Sequence, residues 1–285
     1  MKRNWLSYMC MAALLSGALT SCNESSFLNL SDPNHFTESN FWKDKADAES
    51  ALAAAYSPIK GAMYGYFGAF DGWLNLNGRG DDIFTIKGEE VPMWNIANFL
   101  NSPSTGNDPY GALYSGIQRA NIVLRYIDQV PASGITEEDR SMIKGEALFL
   151  RGYQYFLLVN NYKEVPLRLI PSNEDETNKG PASEAALWTQ VEEDLGNAIK
   201  CNLPVERTTA KERVTKGAAI AMLGKVYATQ HRYPEAKQLL GTLLKAPYSY
   251  ELIDNFGKNF TNEDEFNKES VYEIAYSPDG EYSWS

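Results

Sequence analysis

The chain has 285 residues, 44% hydrophobic and 22% charged, a balance that excludes an intrinsically disordered polymer and can bury a sizeable core. A formal charge of −11 and a pI near 4.8 exclude a protein built to grip nucleic-acid phosphates, which requires a basic face. Aromatic residues reach 12%, so where the rings sit becomes a question about function.

The N-terminus "MKRNWLSYMCMAALLSGALTSC" sets Lys2 and Arg3 before an apolar run too short to span a bilayer comfortably, followed by small residues. Its end, Leu19-Thr20-Ser21-Cys22, reads as a bacterial lipobox. Cleavage before Cys22 would leave that sulfur to carry a diacylglycerol. Residues 1–21 are then a lipoprotein signal, and residues 22–45 an acylated tether and lead-in. With Cys10 in the signal and Cys22 acylated, Cys201 has no intramolecular disulfide partner. It ends an apolar helical stripe and reads as a small, buried or half-buried residue.

The first helix is expected within "FWKDKADAESALAAAYSPIKG", capped by Asp44 or Asp47. Leu52, Ala55, Tyr56 and Ile59 lie on one face, with Pro58 near the end. Residues 61 to about 108 differ. Glycines and prolines are interleaved with Tyr64, Tyr66, Phe67, Phe70, Trp73, Phe84, Trp94 and Phe99, and no helical period persists. A long irregular, aromatic stretch inside a folded domain is usually functional when it is not disordered, and the rings argue against disorder.

Helices resume at "DPYGALYSGIQRANIVLRYIDQVP", with Leu113, Ile117, Ala120, Ile122 and Leu124 as the apolar set. The next helix opens on Thr136 with Asp139 in capping-box position. Its apolar residues run almost all the way round, so it is expected to lie centrally. A polar loop, "PSNEDETNKGPAS", leads to a helix with Leu187, Val191, Leu195 and Ile199 at four-residue spacing. The only strand-like alternation is "ESVYEIAYS" at 269–277.

Residues 217–250, "GAAIAMLGKVYATQHRYPEAKQLLGTLLKAPYSY", place Leu223, Gly224, Tyr227, Ala236 and Pro247 at or within one residue of the signature positions of an about 34-residue tetratricopeptide repeat. Gly224 and Ala236 are small where two helices of one unit approach, while Leu223 and Tyr227 fill the space between units. Pro234 suits the start of the second helix. The fold class is therefore mostly α, a tetratricopeptide-like superhelix of helical hairpins with a long irregular aromatic and Gly-rich insertion.

Enzyme chemistry finds no footing. His35 and His231 stand in unrelated contexts without metal-ligand spacing, and no dinucleotide, P-loop or nucleophile-elbow motif occurs. "WLNLNGRGDDIF" falls in register with a calcium loop at Asn75, Asn77 and Gly78. It places Trp73 where the first acid belongs and Phe84 where the bidentate Glu belongs.

Taken in order, "FTESNFWKDKADAESALAAAY", "LYSGIQRANIVLRYID", "GEALFLRGYQYFLLVNNYKEVPL", "LWTQVEEDLGNAIKCNLP", "RVTKGAAIAMLGKVYATQHRYPEA" and "NKESVYEIAYS" resemble the RagB/SusD family of nutrient-uptake outer-membrane lipoproteins of Bacteroidetes-type bacteria. Two departures stand out: Tyr110 replaces a common tryptophan, and Lys163-Glu164 replaces a more usual Gly-Asp before Val-Pro. Family members are longer, so residues 46–285 resemble the N-terminal helical domain, with the family's C-terminal part expected to be absent.

The resemblance implies binding without catalysis or cofactor. It implies a lipid anchor at Cys22 in the outer membrane, exposed at the cell surface. It also implies capture of a glycan or peptide for a TonB-dependent, SusC-like transporter. Sugars stack their C–H faces on rings and hydrogen-bond to polar neighbours. Trp73 and Trp94, with Asp81 and Asn95, are the candidate ligand residues, taken from the segment and not from a matching motif. The competing reading is a tetratricopeptide lipoprotein scaffold that binds protein partners or peptides and no glycan.

Overall fold

In the computed structural model, which describes residues 41–60, 77, 78, 80, 91–100, 110–172 and 174–275, the chain falls into two units, Met1–Phe41 and Trp42–Ser285. Apart from Phe41, the signal, Cys22 and the first part of the tether lie outside the described residues. The second unit holds eight α-helices and no β-strand among its described residues. They are α1 (Lys45–Lys60), α2 (Val91–Ala97), α3 (Tyr110–Tyr126), α4 (Glu137–Tyr162), α5 (Glu174–Thr177), α6 (Glu184–Lys200), α7 (Lys216–Thr229) and α8 (Tyr233–Leu240).

Local signals place the helix starts. Asp44 Oδ1 accepts the amide hydrogens of Ala46 and Asp47 at 2.9 and 3.1 Å, and Asp47 Oδ2 accepts that of Lys43 at 3.0 Å. Both acids thus serve the first turn of α1. Thr136 Oγ1 accepts from the Asp139 amide at 3.1 Å, the capping contact expected for α4. Ser183 and Thr215 do the same for α6 and α7.

α1 packs on α3, and both pack on α4. α4 then carries α6, α6 carries α7, and α7 closes on α8. This succession of helix-on-helix contacts is the tetratricopeptide-like stack. α4 lies at its centre, with Ile143, Ala147, Leu150 and Leu158 fully buried. On α3 the buried row is Leu113, Ile117, Ala120 and Val123, continued by Ile127. Ile122 and Leu124, assigned to that face from the sequence, are only half-buried. The i, i+3, i+4 rule runs through the intervening valine instead.

α4 was read as apolar nearly all round, yet two buried ionic networks hang on it. Glu146 is fully buried. It accepts from Arg207 Nη2 at 2.7 Å, from Arg213 Nε and Nη2 at 2.9 and 2.8 Å, and from the Tyr56 hydroxyl at 2.5 Å. Glu49 takes the other guanidinium nitrogen of Arg213 at 2.7 Å. This joins α1, α4 and the 205–214 loop at one carboxylate. Burial works to lower the Arg213 pKa, but the bond and charge of Glu146 outweigh it and the pKa rises. Burial and the Glu146 charge also push the Tyr56 hydroxyl well above its ordinary value. One turn or so further on, Arg151 donates to both oxygens of Asp194, at 2.8 and 2.6 Å, and to Asn121 Oδ1 at 2.9 Å, tying α4 to α6 and α3.

α4 ends abruptly at Lys163, whose φ of 64° and ψ of −76°, with Glu164 N–H donating to Tyr162 O at 2.8 Å, form a γ-turn. This is the position where the resembled family commonly has glycine, and a side chain in this strained conformation costs on the order of 1 kcal/mol or more. In the strap that follows, 164–170, side chains of α3 and α4 satisfy the carbonyls of Pro166, Arg168 and Ile170. Tyr114 donates to Pro166 O at 2.6 Å, Tyr155 to Arg168 O at 2.8 Å, and Asn121 to Arg168 O and Ile170 O, both at 3.1 Å. The polar loop at 171–183 contains α5, a single turn, and an isolated antiparallel bridge links Pro166 to Pro181.

The α7–α8 hairpin agrees with the repeat reading. A Cβ added to Gly224 would stand 2.4 Å from Leu240 Cδ2, and Ala236 is buried. Pro234 lies in the first turn of α8, where its missing N–H costs nothing. Leu223 is buried as expected, but Tyr227 turns to its own hairpin, its ring under the Arg232 guanidinium at 4.4 Å. Cys201 caps α6 half-buried, and burial raises its thiol pKa.

The strand expected at 269–277 is not formed over its described part, which runs to residue 275. Alternation alone does not make a strand, because the ladder needs a neighbour, and no ladder exists among the described residues. Tyr272 packs edge-on against Phe149 of α4 at 5.3 Å, and Glu273 accepts from the Phe266 amide at 2.8 Å.

Candidate functional site

Of the four ligand residues expected from the sequence, Trp73 and Asp81 lie outside the described residues. Trp94 and Asn95 are described. They sit on α2, a seven-residue helix inside the stretch expected to be irregular, and both are half-buried. As successive helical residues they point about 100° apart. The lipid site, Cys22, is likewise outside the described residues.

The end of α2 gives the segment its shape. Phe99 N–H donates to Ile96 O at 3.1 Å and Leu100 N–H to Asn95 O at 2.7 Å, the paired bonds of a Schellman motif. Asn98 Nδ2 adds a bond to Trp94 O at 2.7 Å. The motif needs a left-handed residue, ordinarily glycine, and here Phe99 takes it at φ 56°. Phe99 remains 71% exposed, and Leu100 beside it 51%. A phenyl group in a strained backbone and in water stabilises nothing in the fold. Outliers of this kind cluster at ligand-contacting positions. Phe99 was among the aromatic residues of the segment but not among the favoured four, and no local signal marks a phenylalanine as a C′ residue.

A second aromatic group was also missed. Tyr110, Tyr114 and Tyr162 meet where α3 begins and α4 ends. Tyr110 lies 4.8 Å from Tyr114 and 5.3 Å from Tyr162, centroid to centroid. The Arg168 guanidinium stands 5.0 Å over the Tyr114 ring. Burial, with Tyr110 next to it, pushes the Tyr114 hydroxyl far above its ordinary value, so it remains a neutral donor to Pro166. The four-residue spacing of Tyr110 and Tyr114 was legible as a helical pair. The third ring and the arginine arrive from elsewhere in the chain. Together they brace the strap and the entry to α3 directly after residues 101–109. Chemically, the arrangement offers ring faces and hydrogen-bonding groups.

Comparison with known proteins gives this architecture its class. Residues 82–228, just over half of the 285, match the SusD-like family described as starch-binding and associating with the outer membrane, and the chain belongs to that family. It is 25% identical over 246 residues to the SusD-like protein P38 of Formosa agariphila, covering 84% of this chain and 45% of that protein. It superposes on a SusD superfamily protein of Bacteroides vulgatus with a TM-score of 0.76 at 31% identity, over 82% of this chain and 50% of that one. A laminarin-binding SusD-like protein superposes at a TM-score of 0.74 and 29% identity, over 83% of this chain and 52% of that one. The chain therefore spans about half the length of these relatives. No helix among the described residues is long and apolar enough to cross a membrane.

Proposed function

We propose that this chain captures glycan at the cell surface as part of a lipoprotein anchored in the outer membrane through Cys22, and delivers it to a TonB-dependent, SusC-like transporter. The observation that carries the reading is the likeness to a laminarin-binding relative over 83% of the chain at 29% identity. The exposed Phe99 ring and the adjacent Trp94 and Asn95, with Trp73 and Asp81 from the same segment, supply the stacking and polar groups a sugar requires. The role is capture without turnover and needs no cofactor.

The test is native electrophoresis through gels containing laminarin. The parent chain is expected to be retarded, and Trp94→Ala to weaken retention about fivefold to tenfold, the worth of a stacked ring, with little change in melting temperature. Equal migration with and without laminarin, and with a panel of other soluble polysaccharides, overturns glycan capture. Cys22→Ala is expected to leave the detergent phase, since acyl chains contribute about 0.8 kcal/mol per buried CH₂. Delivery is tested separately, by co-purification of a SusC-like transporter with the parent chain.

A further inference from the structure

A cleft of about 180 Å³ opens where the loop 205–215, the segment 247–250 and the segment 266–273 meet, and no residue of 91–100 lines it. It is smaller than sites for drug-sized ligands, which start at roughly 300 Å³. It is somewhat larger than an engineered cavity of about 150 Å³ that holds benzene. The space suits one six-membered ring.

Its walls are aromatic and held in place. Tyr248 and Tyr250, two positions apart, lay their rings side by side. Their centroids are 6.1 Å apart and their planes 11° from parallel. The hydroxyl of Tyr250 lies against Gly217, where an added Cβ would stand 2.1 Å away, and bonds Thr215. Tyr272 is fixed against Phe149.

Most charges at the rim are engaged. Arg207 is held by Glu146, Lys268 by Glu251 at 3.0 Å, and Glu273 by the Phe266 amide. Glu206, Lys211 and the Tyr248 hydroxyl make no hydrogen bond or ion pair among the described residues. An acceptor, a cationic donor and a hydroxyl are thus left facing a ring-sized space with aromatic walls.

We propose that this cleft binds a single neutral hexopyranose, as a terminal or branch unit of a glycan, independently of the segment around α2. A pyranose offers an apolar C–H face to the tyrosines, and its hydroxyls both donate to Glu206 and accept from Lys211 and Tyr248. An acidic sugar meets Glu206, Glu273 and the field of a chain of net charge −11. A cationic one meets Arg207, Lys211 and Lys268.

The experiment titrates the full chain with the methyl glycosides of glucose, galactose and mannose, and with methyl glucuronide, by protein-observed NMR. At least one neutral glycoside is expected to bind saturably. Tyr248→Ala is expected to weaken it about tenfold. Glu206→Gln, an exposed and shape-preserving change, is expected to weaken it several-fold. No saturable binding of any neutral glycoside at millimolar concentration overturns the proposal. So does binding that survives both cleft variants, binding lost only in Trp94→Ala, or a preference for the glucuronide. Because the laminarin test reads Trp94 and this one reads Tyr248 and Glu206, either site can fail without the other.

Discussion

Along the 26 residues of α4, the charged groups Glu146 and Arg151 are buried and each is met by several partners. At the end of the seven-residue α2, Phe99 leaves 71% of its surface in water on a backbone at φ 56°. One helix takes polar groups inside and satisfies them; the other holds an apolar ring outside at a conformational cost. Burying a charge is tolerable only with partners in place, so α4 has one arrangement and serves as the rigid axis. Exposing a ring adds nothing to the core, so the end of α2 is free to serve contact with something else.

Five substitutions sharpen or break this contrast. Glu146→Ala leaves Arg207 and Arg213 without their buried partner and is expected to cost about 3–5 kcal/mol in urea unfolding. A loss below about 1 kcal/mol would mean the network is solvated and the contrast false. Gly224→Leu pushes a side chain into Leu240 and should cost roughly 1–3 kcal/mol, with Ala236→Leu in the same range; unchanged thermal melts for both would break the repeat register. Phe99→Gly relieves the left-handed residue and should raise stability by up to about 1 kcal/mol, as should Lys163→Gly at the end of α4. Only the Phe99 change is expected to reduce laminarin retention. Equal retention in both variants would return Phe99 to a structural curiosity of its turn.

The smallest effect belongs to the surface pair Lys45–Asp139, 2.8 Å apart, which should contribute no more than about 1 kcal/mol. The hydrogen bond from Lys45 holds the Asp139 carboxyl below the usual carboxylate range. Its contribution is therefore complete above the unfolded value of about 3.9 and is lost as pH falls through the lower folded value. The stability difference between the parent and Asp139→Asn should be constant above about pH 5 and shrink below about pH 4. A difference that grows on acidification would reverse the assignment.

Much of the body was legible because its signals are local. Asp44, Thr136 and Pro234 mark helix starts through bonds made or spared within one turn, and Gly224 and Ala236 stand at fixed offsets in a repeat. The buried face of α3 was legible to within one residue. Less was legible where the partner comes from far along the chain. Glu146 meets Arg213 across 67 residues and Tyr56 across 90, and nothing in "IKGEALFL" distinguishes a buried carboxylate from a solvated one. The alternation of "ESVYEIAYS" was misleading for the same reason, since a strand exists only with a neighbour.

For the site, the sequence alone determined that rings and polar groups are concentrated between residues 61 and 108, since composition is a property of the chain. Only the tertiary structure decided which described ring faces water. It set Phe99 out at a helix end, left Trp94 half-buried, and brought Tyr248, Tyr250 and Tyr272 around one cleft. Exposure and convergence are properties of the packed chain, in which residues distant in sequence compete for the same space.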